Sequence, residues 1–167
     1  MNSFKTIKPE DINDTFKLIG KDWFLITAGT IDECNMMTAA WGGMGVMWHK
    51  NVCTIYVRPN RHTKSLLDYN DYFTISFYGP EHKKMLNYCG TISGKDVDKV
   101  TETGLTPVET KNGSVYFEEA ELVIECKKIY FQQLTNRNFL DSTIEKQYPK
   151  KDYHTMYIGE IVTCLKK

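Results

Sequence analysis

The 167-residue sequence predicts a mainly β protein, a closed or split antiparallel barrel with short helices inserted between the strands. Three observations carry that expectation. Phe73, Ile75 and Phe77 alternate with Thr74 and Ser76, the period-two pattern of a strand with one buried face. Asn112-Gly113 sits between two strand-like runs, and both residues tolerate the positive φ that a tight hairpin requires. Finally, about seven strand-like runs occur without the regular helix spacing of parallel βαβ units.

In chain order, residues 9–20 predict a short packing helix with Pro9 in its first turn, Gly20 at its end, and Ile12, Phe16 and Ile19 on one face. Strands are expected over residues 23–30, 52–57 and 72–78. Between the last two, residues 63–69 read as a helix opened by Thr63. Residues 80–88 and 95–103 predict two further helices, closed by Gly90 and Gly104. The hairpin at Asn112-Gly113 joins residues 105–110 to 114–117, a long strand follows over 121–134, and the last strand covers 153–165. The polar stretch 135–152 between them reads as a helix or an excursion.

Composition bounds the function. Lys plus Arg and Asp plus Glu each count 21, so no net charge favours nucleic acid or an anionic membrane, and neither partner is expected. With 41% hydrophobic and 13% aromatic residues the chain is a folded protein, read as one domain over residues 1–167. Its longest apolar stretches, such as residues 23–28, fall far short of the roughly 20 residues that span a bilayer. No signal peptide is visible, and five cysteines without a CxxC pair suggest neither a disulfide framework nor a zinc ribbon. A cytoplasmic location is the expectation.

Three segments hold residues of ligand type. Two of the three arginines fall in Arg58-Pro59-Asn60-Arg61-His62-Thr63-Lys64-Ser65, ahead of a predicted helix start. Guanidinium forks and free helix amides suit phosphate oxygens, while a solvated loop with Thr63 as a simple cap explains the residues equally well. Residues 35–48 hold four of seven methionines together with Trp41 and Trp48. They read as a wall for a flat heteroaromatic ring or, more commonly for such composition, as a bent core strand. Cys89-Gly90-Thr91-Ile92-Ser93-Gly94-Lys95 suits an anion or carbonyl oxygen, or is an ordinary turn between helices. Cys89 has no sequence neighbour that would activate its thiol. The four histidines show no metal-ligand spacing, and His154 reads as a proton donor near a ligand or as a surface residue.

Taken in order, Asn35 to Trp41, Arg58-Pro59-x-Arg61-x-Thr63, Phe73-Thr74-Ile75-Ser76, Gly90 to Lys95, Glu125-Cys126 and His154 to Ile161 resemble the flavin reductase-like family, nearest its flavoredoxin-like branch. The resemblance implies an FMN-binding split barrel and a homodimer with FMN at or near the subunit interface. It implies that Asn35, Thr38 and Trp41 edge the isoalloxazine ring, with Met36, Met37, Ala39 and Ala40 in the same segment. Arg58, Arg61 and Thr63 would take the phosphate side, Lys95 a ring or phosphate oxygen, and Cys89, Gly90 and Ser93 the adjoining loop. His154 is the candidate catalytic group. Many reductases of two-component monooxygenases carry Gly-Asp-His where this chain has Asp152-Tyr153-His154, which leaves NAD(P)H open as the electron donor. Three functions follow: an enzyme moving hydride from a nicotinamide to FMN, an FMN electron carrier served by another donor, and a dimeric binding module without turnover. The first two need a small-molecule or protein electron donor and acceptor.

Overall fold

The computed structural model describes residues 3–167. Strands β1 (Lys5–Ile7), β2 (Phe24–Gly29), β3 (Cys34–Ala39), β4 (Gly42–Met47), β5 (Lys50–Val57), β6 (Tyr72–Phe77), β7 (Pro107–Glu109), β8 (Val115–Phe117), β9 (Leu122–Gln133) and β10 (Thr155–Lys166) are joined by four helices. These are α1 (Thr15–Lys17), α2 (His62–Tyr69), α3 (Lys83–Thr91) and α4 (Lys99–Thr103). Eight strands form one antiparallel sheet in the order β3-β2-β6-β9-β10-β5-β4, with β1 added to β10, and it is a split barrel. Strands β7 and β8 make the separate hairpin around Gly113, whose φ is +80°.

Alternation sorts the strands into two layers. Phe24, Ile26, Cys53, Ile55, Phe73, Ile75, Phe77, Ile124 and Tyr157 point into one buried cluster, which Leu67 of α2 joins. The intervening Leu25, Met36 and Val123 face outward and pack beneath Tyr78, Leu86 and Cys89 and against Phe117 of the hairpin. The hairpin is fastened by buried Glu125 on β9, whose carboxylate accepts hydrogen bonds from Thr110, Ser114 (2.9 Å) and Asn112 (3.0 Å). At Gly159 the β9–β10 register shifts, and a Cβ there would lie 2.6 Å from Cys126 Cβ and 2.7 Å from the Phe73 ring. Only a residue without a side chain lets β10 lie this close over the interior.

Several sequence expectations are corrected. The N-terminal helix is interrupted: a 3-10 turn covers Pro9–Asp11, Asp14 takes φ +57°, and α1 then widens into a π turn over Leu18–Asp22. That break turns Phe16 into solvent at 97% exposure, while Ile19 stays buried. Gly90 lies inside α3 rather than closing it, whereas Gly104 ends α4 at φ +68°. Residues 35–48 are not one bent strand but β3 and β4 with a break at Ala40-Trp41. β4 turns into β5 through Trp48 and His49, both at positive φ (54° and 58°), the backbone of a type I′ hairpin made without glycine. The 135–152 excursion holds two 3-10 turns, Asn136–Asn138 and Ser142–Gln147. Among the described residues no helix is long and apolar enough to cross a membrane.

Candidate functional site

Helix α2 begins at His62 with Arg61 in the capping position and no side-chain cap, so Thr63 does not open it. Instead Thr63 is buried, and its hydroxyl accepts a hydrogen bond from Asn35 Nδ2 at 2.8 Å. That bond joins β3 to α2. Gly94, in the segment between α3 and α4, packs directly on the Asn35 amide where a Cβ would not fit. Arg61 reaches the last turn of α3, just before that segment, donating to the Gly90 carbonyl at 2.9 Å. Three stretches distant in sequence therefore meet.

They enclose a cavity of about 190 Å³ lined by Asn35 and Met37 of β3, Asn60 to Thr63, Thr91 to Gly94, and Lys99. Lys99 is buried, and its ammonium donates to the carbonyls of Met36 (2.9 Å) and Cys89 (2.8 Å). Burial pulls its pKa down. No carboxylate lines this cavity among the described residues, and neither Arg61 nor Lys99 forms an ion pair there. His62 Nδ1 is buried at its edge without a hydrogen-bond partner. Two cations, a hydroxyl and an unsatisfied imidazole nitrogen suit a phosphate-sized anion. A wider depression of about 580 Å³ continues from it past Asn35, His62, Gly94 and Lys99. There Asp32, Glu33, Asp96 and Asp98 join the lining, so the smaller cavity is the better place for negative charge.

The remaining sequence-predicted residues divide. Met36 and Cys89 face the outer layer, Thr38 donates to the Leu86 carbonyl of α3, and burial pushes the Cys89 thiol up to about 11. Ala39 packs against the interior, and Ala40 falls in the break before β4. Ser93 lines the cavity and its hydroxyl accepts from the Lys95 amide, but Lys95 itself is exposed and lines only the wider depression. The helix expected over residues 95–103 begins only at Lys99, and it is Lys99, not Lys95, that places a buried cation at the cavity.

Arg58 is also redirected. Its guanidinium pairs with Asp152 (2.8 Å), donates to the Gln147 carbonyl (2.8 Å) and lies 5.0 Å from the Tyr148 ring centre, fastening the 135–152 excursion to β5. These contacts occupy the fork that phosphate would need. Beside it His154 is buried, its Nδ1 is 2.8 Å from the Tyr148 hydroxyl, and its ring lies 5.1 Å from that of Trp41. Burial, and after it the positive Arg58, pulls the His154 pKa down to about 4, so the imidazole is neutral at pH 7. Trp41 is 46% exposed, which removes the core-strand reading of this residue.

The architecture and this site define a split-barrel domain with a cation-lined cavity where α2, β3 and the α3–α4 segment converge. A family model described as the flavin reductase like domain matches residues 17–166, and the chain belongs to that family. Among solved structures, it is similar to the FMN-binding domain of a flavin reductases-like enzyme from Shewanella baltica, with a TM-score of 0.72 at 16% identity over 99% of this chain and 78% of that one. It is similar to the flavoredoxin of Desulfovibrio vulgaris (TM-score 0.70, 24% identity, 96% and 76% covered) and to that of Methanosarcina acetivorans (0.70, 20%, 96% and 76%). At these identities the structures bear on the fold. A comparison with curated proteins gave no match.

Proposed function

We propose that the protein is an FMN-binding oxidoreductase that passes electrons or hydride through its flavin. The observation that carries this is the cavity containing Arg61, Thr63 and Lys99 with no carboxylate in its lining. An anion entering it meets two cations already held by carbonyl contacts, so little further ordering is needed. Arg61, Lys99 and Thr63 would hold the phosphate, Asn35 and Met37 the adjoining part of the cofactor, and Trp41 its ring. Bound FMN would supply reversible one- and two-electron transfer; the chain supplies anchoring, orientation and hydrogen bonds.

The exposed apolar side chains Val46, Met47 and Trp48 on the edge hairpin, with Tyr130 and Phe131 on β9, support assembly as a homodimer. Trp48 and Tyr130 lie 6.0 Å apart between ring centres, so part of this surface is continuous. Light scattering at micromolar concentration tests the dimer.

The deciding experiment for the cofactor titrates FMN and riboflavin into wild-type protein and Arg61→Ala. FMN should bind more tightly than riboflavin, and the variant should lose about 1.5–3 kcal/mol toward FMN alone, the scale of a hydrogen bond to a charged group. Equal losses for both ligands would remove the phosphate assignment. Anaerobic mixing with NADH and NADPH then tells hydride acceptance from an electron carrier: bleaching of the flavin supports the first, an unchanged spectrum the second.

A further inference from the structure

The His154 imidazole has two nitrogens, and the structure binds only one of them to the protein. Nδ1 meets the Tyr148 hydroxyl at 2.8 Å, and Nε2 has no protein hydrogen bond among the described residues. Tyr148 is itself held on every side. Arg58 lies over its ring, Phe139 stacks on it at 5.9 Å with an interplanar angle of 20°, and Tyr153 packs at 5.0 Å. The Tyr153 hydroxyl in turn donates to Glu145 at 2.5 Å. The phenol oxygen is therefore fixed opposite Nδ1 by the whole end of the excursion, and the charged groups acting on His154 are Arg58, Asp152 and Arg61.

A phenol donates more readily than it accepts, and Tyr148 keeps its proton because burial raises its pKa. If it donates to Nδ1, the ring must carry its own proton on Nε2. We propose that Tyr148 is a positioning residue that holds His154 as the neutral Nε2–H tautomer, presenting one fixed N–H donor beside Trp41 toward the flavin. The tautomer part stands on this geometry alone, and the direction toward flavin rests on the function proposed above. The logic is that of a metal site's outer shell: the partner of one ring nitrogen decides what the other offers. A neutral donor of this kind can hydrogen-bond an electron-rich ring atom without bringing a full charge into the site.

The test is nitrogen NMR on histidine-labelled apo-protein at pH 7, with the His154 signals identified by their absence in His154→Gln. The wild type should show Nε2–H favoured by roughly tenfold or more, the scale of one hydrogen bond. Tyr148→Phe removes one oxygen and leaves the ring on which Arg58 and Phe139 rest. It should bring the two tautomers to within about threefold, while Tyr153→Phe should leave the ratio unchanged. An Nδ1–H tautomer in the wild type, which needs no variant to detect, overturns the proposal, and so does an unaltered ratio in folded Tyr148→Phe. Adding FMN should then shift the His154 Nε2 signal, and bound FMN that leaves it unmoved overturns its placement at the flavin. Failure to bind FMN would refute the proposed function instead, because the tautomer ratio is measured without flavin.

Discussion

Acidification provides a direct check on the electrostatics around His154. In the unfolded chain its imidazole takes a proton near 6.5, and in the folded protein only near 4, because burial and Arg58 disfavour the charged form. Between those values the unfolded state binds more protons than the folded one. Stability contributed by this residue is therefore complete above pH 6.5 and is lost as pH falls toward 4. At about 1.4 kcal/mol per pH unit, the interval from 6.5 to about 4 amounts to at most about 3.5 kcal/mol, a large part of an ordinary domain's stability. The assay is urea unfolding of apo wild type and His154→Gln at half-unit steps from pH 7.5 to 4.5. Carboxylates titrate in both proteins, so the informative quantity is the difference between the two curves. The wild type should lose stability faster than the variant below pH 6.5, by about 1 kcal/mol or more for each pH unit. Parallel curves would refute the argument, and a wild type that gains stability relative to the variant on acidification would reverse its sign.

Lys99→Met should weaken FMN binding by about 1.5–3 kcal/mol with little effect on riboflavin, read by the same titrations that examine Arg61. Trp41→Ala should lower FMN affinity and change flavin fluorescence. Because the side chain is 46% exposed, the apo fold should lose less than the roughly 3–5 kcal/mol of a buried tryptophan, measured by urea unfolding. Gly159→Ala should cost about 1–3 kcal/mol through overpacking against Cys126 and Phe73, and an unchanged urea midpoint would show that β10 can move away.

Much of the sheet was legible because its signals are local. Phe73, Ile75 and Phe77 alternate in sequence and all three end in the interior cluster, and Asn112-Gly113 turns where its backbone freedom predicts. The N-terminal helix misled because periodicity registers apolar spacing but cannot see Asp14 leave the helical region two residues before Phe16. The β4–β5 turn carried no sequence mark, since Trp48 and His49 occupy positions where asparagine and glycine are expected. In the site, the meeting of Asn35, Arg61, Thr63 and the Gly90–Gly94 segment was foreseen from the family resemblance. The role of Lys99 was not, because the helix expected over residues 95–103 begins only at Lys99, which leaves Lys95 exposed in the preceding turn, and only packing reveals which lysine is buried. Arg58 was assigned to phosphate from its loop and the family resemblance, and its partners in the structure, Gln147, Tyr148 and Asp152, lie about 90 residues away along the chain.

That side chain divides the excursion into two halves of different freedom. Arg58, rooted on β5, clasps Gln147, Tyr148 and Asp152, whereas the earlier half ends in a fully exposed Leu140 and touches the clasp through Phe139 and Glu145. The stretch around Leu140 can therefore change in length or chemistry while the sheet stays as it is, whereas Phe139 must keep its stacking on Tyr148 for the His154 setting to persist. From Gln147 onward the same tolerance ends, because one arginine at the end of β5 holds a backbone carbonyl, an aromatic face and a carboxylate. The excursion thus separates an exposed stretch that is free to diversify from a clasped stretch that must hold the His154 setting constant.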